Sequence, residues 1–293
     1  MNTWHRPAGS ATASGFTVAV TPDGVGWEHA GLHVADLGAG ESRTVRTGDS
    51  EWLVLPLSGR WRVECDNELV LLSGRDDPFA GSTDYAYVPC GSTMTITTTT
   101  GGRVALPHAT TEEPLPFRRV GVEWVTTGLI GTGHTSRQQR RVGTPDVLEA
   151  RSLIVLEELT PGGNWSAWPP HRHDRQRDDQ ESAVEEICYV ELRRQHGAPE
   201  GDGGFAFHHV HGTPDRPINV AATVRTGDVV LVPYGWHGPA MTPPGYDMYS
   251  LHVIAGAGPR HQVLMTEQPE HAWVTNALAS QPGDPRLPFP ETR

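Results

Sequence analysis

Lysine is missing from this chain of 293 residues: all 23 of its Lys and Arg positions are arginine, set against 35 acidic residues for a formal net charge of -12. That balance excludes a nucleic-acid surface, because phosphate binding needs clustered basic side chains. Cysteine is scarce. Cys65, Cys90 and Cys188 are far apart and make no C-x-x-C pair, which excludes a disulfide framework and reads as reduced thiols. No apolar run approaches the roughly 20 residues of a membrane span. The opening MNTWHRPAGSATASGF lacks the apolar core of a signal peptide. The expectation is a cytoplasmic protein with no membrane partner.

Long amphipathic helices are lacking too. What is present is 33 Gly and 25 Pro between short β-branched and aromatic runs, the pattern of many strands joined by turns in a sandwich or barrel. The length allows one large or two ordinary domains. Strand-like runs at 51–57, 61–64, 85–88 and 94–100 have echoes at 186–192 and 227–237. Both halves close a later run with Pro-x-Gly, as Pro89-Cys90-Gly91 and Pro233-Tyr234-Gly235. A glutamate opening one run and this turn closing another, twice over, predict an internal duplication in which Glu51 answers to Glu186. The expected fold is all-β, with two antiparallel barrels in tandem: a first barrel over 1–106, a connection with some strand exchange over 107–150, and a second barrel over 151–293.

Chemistry concentrates in the second half. Residues 165–174 read WSAWPPHRHD, and on a strand His171 and His173 would share a face and present two imidazoles side by side. Glu186 directly precedes the apolar run Ile187-Cys188-Tyr189-Val190, and His237 follows its Pro-x-Gly turn by two residues. Three imidazoles and a carboxylate suit one divalent ion, Zn, Mn, Fe, Co or Ni, with positions open for a substrate oxygen. Glu185 is the competing carboxylate. In the first half no H-x-H precedes Glu51, and Thr93 stands where the second half has His237, so the first barrel is expected to be structural.

The order H-x-H, Glu, G-x5-P-x-G-x-H resembles the metal motif of the cupin superfamily, and the duplication resembles a bicupin of jelly-roll barrels. More narrowly, GGNWSAWPPHRHD (162–174), Glu185-Glu186, GFAF (204–207), GDVVLVPYGWH (227–237) and PGYDMYSLHVIAG (244–256) resemble the 5-deoxy-glucuronate isomerases of bacterial myo-inositol catabolism. The similarity continues through Gly26-Trp27, 51–59 and 85–89. It implies conversion of 5-deoxy-D-glucuronate to 2-deoxy-5-keto-D-gluconate, with a divalent ion polarising the carbonyl and a base moving a proton between adjacent carbons. His252 and Glu185 are the catalytic candidates, and Arg137, Arg141, Arg172 and Arg225 are candidates for the substrate carboxylate. Two rival readings use the same donors: an Fe(II) dioxygenase and a metal-containing sugar-acid binding protein. A homo-oligomer stays open.

The chain departs from the family pattern near these residues. It has EEICY (185–189) for E-E-x-Y-Y, YSLH (249–252) for Y-Y-L-N, and GFAFHHVH (204–211) for G-F-x-F-Q-R-V-Y. Strand alternation groups Cys188 with Glu186, Ser250 with His252, and His209 with His211. A remodelled substrate pocket of Cys188, His209, His211, Tyr234, Ser250 and Arg172 is the expectation, with drift on a solvent face an equal reading for His208.

Overall fold

The computed structural model describes residues 4–195, 197, 199, 201, 203–256 and 263–290. Among them, strands fall into two barrels, each built of two antiparallel sheets. One barrel pairs a six-stranded with a four-stranded sheet, the other a seven-stranded with a six-stranded one. No helix among the described residues is long and apolar enough to cross a membrane.

The central strands read as unbroken apolar runs because both of their faces are buried. In Ser50–Pro56 every residue is buried. Leu53 and Leu55 join Ile187, Tyr189, Leu251 and Val253 in a core between the two large sheets, which locks the barrels together. The alternate residues Trp52 and Val54 fill the first barrel, and Cys188 and Val190 fill the second.

Strand pairing redraws the expected boundaries. Gly102–Thr110 is one strand of the first barrel, bonded to Ala30–Leu37 and Ser50–Pro56, so that barrel runs past residue 106. The stretch taken as a connection is divided between the two. Arg118–Val120 pairs with Tyr85–Val88 of the first barrel. Thr126–Ile130 and Arg137–Arg141 form a hairpin that extends the second barrel's large sheet. Strand exchange also runs the other way, since His5–Arg6 pairs with Val229–Val232.

The duplication is real in the pairing but shifted by one residue. Trp52 faces Val88, and Glu186 faces Val232; both valines directly precede a Pro-x-Gly turn. Glu51 therefore answers to Glu185, and Trp52 answers to Glu186. The two matched glutamates do the same job in opposite directions. Glu51 accepts the backbone N–H groups of Arg151, Ser152 and Leu153 at 2.6–3.0 Å, and Glu185 accepts those of Glu28, His29 and Ala30 at 2.9–3.0 Å. Each ties its strand to the segment entering the other barrel through charge-assisted hydrogen bonds. Glu185, expected as a catalytic group or rival ligand, is thus a structural clasp facing away from the cavity.

Candidate metal centre

His171 lies on the two-residue strand His171–Arg172, directly opposite His237 on Trp236–Met241. His173 follows two residues later on the same side, and Glu186 comes from the facing large sheet. The nitrogens that His171, His173 and His237 can offer a metal all lie within 4.8 Å of one another. Glu186 closes the set: His173 Nε2 donates to its Oε2 at 2.8 Å, and His237 Nε2 lies 3.4 Å from the same oxygen. At that separation no hydrogen bond forms, and His237 Nε2 is buried without a partner.

The electrostatics suit a cation. Burial, reinforced by the neighbouring His237 and His173, holds His171 well below the ordinary imidazole range, which is the neutral form that binds metals. Burial disfavours charge on His173 as well, but the bonded Glu186 carboxylate outweighs it and raises that pKa. Burial would raise the pKa of Glu186, but the bonds from His173 and His252 and the neighbouring His237 keep it well below the carboxylate range.

A cavity of about 750 Å³ opens from this centre. His252 borders it, with Nδ1 donating to Glu186 Oε1 at 2.6 Å and Nε2 buried without a hydrogen-bond partner, 4.0 Å from Glu158 Oε2. Glu158 receives Arg137 Nε at 3.1 Å, Gln139 Nε2 at 3.0 Å and Ser166 Oγ at 2.6 Å. Burial would raise its pKa, yet these partners and His252 pull it down to about 2, so the cavity wall carries an ionised Glu158 paired with Arg137.

Residues 4–274 match the KduI/IolB family. A 5-deoxy-glucuronate isomerase of Geobacillus kaustophilus (strain HTA426) is 35% identical, with 92% of this chain and 94% of that protein aligned. The chain belongs to the KduI/IolB family. A crystal structure of an IolB-like protein from Salmonella typhimurium LT2 superposes with a TM-score of 0.82 at 30% identity, covering 92% of this chain and 98% of that one. Oxalate decarboxylase of Lactobacillus farciminis, a cupin at 10% identity, superposes at 0.60 over 88% of this chain and 84% of its own. The fold is that of a bicupin.

Beyond the ligand set, the expected pocket residues scatter. Cys188 and Ser250 face inward as strand alternation requires, but they are 0% and 2% exposed and absent from the cavity wall. Cys188 is packed with Val190, Val210 and Met248, and burial pushes its thiol pKa up. His209 and His211 do share a face, the outer one, where their rings stack at 4.9 Å. His208 is the residue turned inward to the cavity. Tyr234 donates to Pro217 O at 3.1 Å under the Arg216 guanidinium, away from the cavity. Arg172 covers Trp236 and bonds Glu181 at 3.3 Å, and Arg225 bonds Gly204 O. Of the four candidate arginines, Arg137 and Arg141 line the cavity.

Sequence reasoning missed Glu158, Gln139, Ser166 and His208. One signal was available: Glu157-Glu158 interrupts the apolar strand Ile154–Thr160, and acids inside a buried strand need partners. The buried, unbonded His237 nitrogen at the meeting point of three imidazoles and a carboxylate fits a divalent cation, by donor type and by the otherwise uncompensated cost of that nitrogen.

Proposed function

We propose that this chain is a metal-dependent aldose-ketose isomerase of sugar acids that converts 5-deoxy-D-glucuronate to 2-deoxy-5-keto-D-gluconate. The observation that carries this reading is the four-donor set at the end of a cavity lined by a charged, hydrogen-bonded wall, in a chain 35% identical over most of its length to a protein of that activity. His171, His173, His237 and Glu186 would hold the ion. When bound, it supplies electron withdrawal from a carbonyl and the adjacent hydroxyl.

The other residues bind, orient and move protons. His252, anchored through Nδ1 on Glu186, shifts the carbon-bound proton with Nε2. Arg137 is committed to Glu158. Arg141 lies in line with His252 across the sheet, through Leu156, at roughly two strand spacings of ~4.8 Å. Its partner Asp146, at 3.0 Å, is half exposed as Arg141 is, and such a pair is worth less than about 1 kcal/mol. A substrate carboxylate displaces it at little cost, which assigns Arg141 to the acid end of the sugar.

The test joins metal analysis of protein purified without chelator to an isomerase assay on 5-deoxy-D-glucuronate, with and without oxygen. A divalent ion near one per chain and equal turnover in both atmospheres are expected. Turnover that requires dioxygen, or tight binding of the sugar acid with no turnover, overturns the reading.

A further inference from the structure

One floor of the cavity is a patch of the second barrel's large sheet, whose inward residues stand in ladder register. Arg141 pairs with Leu156 and Leu156 with His252, side by side across three strands, and all three line the cavity. Two residues along the strand of Leu156 comes Glu158, paired with Gln139, and two residues the other way Ile154, paired with Ile254. Leu156 is therefore a half-buried apolar side chain with polar groups on three sides. It offers a ligand no hydrogen bond.

The polar groups around it are directed elsewhere. Glu158 takes Arg137, Gln139 and Ser166, and its Oε2 lies on the side of His252. Arg141, with Thr144 three residues on in the same cavity wall, belongs to the end assigned to the substrate carboxylate. An atom of the ligand seated on Leu156 is best matched by carbon without a hydroxyl.

The inference rests on the proposed reaction, which sets the aldehyde at the ion and the carboxylate at Arg141. Four carbon–carbon bonds of an extended chain cover ~5 Å, about one strand spacing of ~4.8 Å. A sugar acid with C2 at His252 thus brings C5 and C6 over the strand of Leu156, with C6 facing the Arg141 side chain from the next strand. C5 is the carbon that carries no hydroxyl in 5-deoxy-D-glucuronate.

We propose that Leu156 is the residue that selects a 5-deoxy acid, by packing against its C5 methylene. A hydroxyl on that carbon would lose water against the leucine and gain no partner. Apolar contact of this kind rejects one added hydroxyl by about 10²-fold. Leu156 acts in binding alone and moves no proton.

The experiment compares wild type, Leu156→Asn and Leu156→Met on 5-deoxy-D-glucuronate and on D-glucuronate, recording kcat/KM, metal content and melting temperature. D-Glucuronate differs only by its C5 hydroxyl, through which it also closes to a pyranose and hides its aldehyde. The quantity read is therefore the ratio of kcat/KM on D-glucuronate to that on the deoxy acid, in each variant relative to wild type, where the effect of ring closure cancels. Leu156→Asn should raise that ratio by roughly 10-fold or more. Leu156→Met, still apolar and of similar volume, should leave the ratio near that of wild type. Metal content and melting temperature should hold in both, and Leu156→Thr, whose branched side chain suits a strand, repeats the comparison should the asparagine variant melt early. No rise with a polar residue at 156, or an equal rise in Leu156→Met, overturns the inference. If wild type itself does not isomerise 5-deoxy-D-glucuronate, the proposed function fails first.

Discussion

At matched positions of the two barrels the same frame carries opposite interiors. Where the second barrel has Glu186 the first has Trp52, and Leu106, Val104 and Thr93 stand in the first for His252, Ser250 and His237, as the strand registers fix. Trp52 stacks on His108 at 3.8 Å and 13°, and His33 packs against both at 5.0–5.3 Å. That aromatic stack fills the space which, in the second barrel, three imidazoles and a carboxylate leave open to a cavity. Histidine alone therefore does not make a site. The first barrel also holds a buried and a half-buried histidine, His108 and His33, but no carboxylate bonds either of them, and burial pushes His33 to about 4 and His108 to about 3. In the second barrel Glu186 sets the character of the imidazoles around it.

Breaking the contrast at the ligands should have the largest effect. His173→Ala or His237→Ala removes one of the four donors, and losing several kcal/mol of charge stabilisation is on the order of a thousandfold in rate. Metal analysis and turnover should both collapse while circular dichroism keeps the strand signature; full metal content in both variants would refute the ligand assignment. Next in size is Trp52→Glu, which copies Glu186 into the first barrel. The imidazoles beside it, His108 and His33, are held neutral by burial, so the carboxylate is buried without a charged partner in a hole left by the indole, and denaturant unfolding should show a loss of about 3–5 kcal/mol with no metal gained. A second equivalent of tightly held metal would show that the first barrel is a latent site.

The convergence of the three histidines proposed as ligands was legible because their spacing is local: H-x-H fixes two imidazoles on one face, and Pro-x-Gly-x-His fixes the third at a turn. The duplication was legible as well, but its register was not. Consecutive Glu185 and Glu186 allow two alignments with Glu51, and only the pairing with Val88 and Val232 chooses between them. Parity also correctly grouped His209 with His211 and Cys188 with Glu186. Which face points inward in Phe-His-His-Val-His depends on pairing with Trp236–Met241, where a register shift between His208 and Val210 intervenes. Depth along the barrel is likewise nonlocal, so Cys188 and Ser250 proved to be core, and Glu158 emerged only once Arg137, Gln139 and Ser166 had converged on it.

The neighbouring glutamates sharpen the comparison further. Glu185→Ala leaves three backbone N–H groups of residues 28–30 without their acceptor, and part of that loss is recovered by water because the segment is partly exposed. Stability should fall by about 1.5–3 kcal/mol with kcat within about twofold of wild type, whereas Glu186→Ala should keep most of the stability and lose the activity. Loss of turnover in folded Glu185→Ala would return this residue to the active site.

The smallest effect lies in the first barrel's histidines, and its sign is fixed. His108 is 2% exposed and held neutral down to about pH 3 by burial, with the nearby His33 adding to the shift. Above about pH 6.5 neither the folded nor the unfolded chain protonates this ring, so it contributes no pH dependence there. As the pH falls below that value the unfolded chain takes up a proton that the folded ring refuses. Stability then falls with pH, by up to about 1.4 kcal/mol per unit, until the folded pKa is reached. Between pH 7.5 and 6 the cost is about 0.8 kcal/mol for this one residue. His108→Phe keeps an aromatic ring against Trp52 and removes the titration, so its stability should decline less over that interval than wild type by about this amount. Parallel urea curves at the two pH values read the difference directly, and an equal decline in both proteins would mean that His108 gains no protection from its stack.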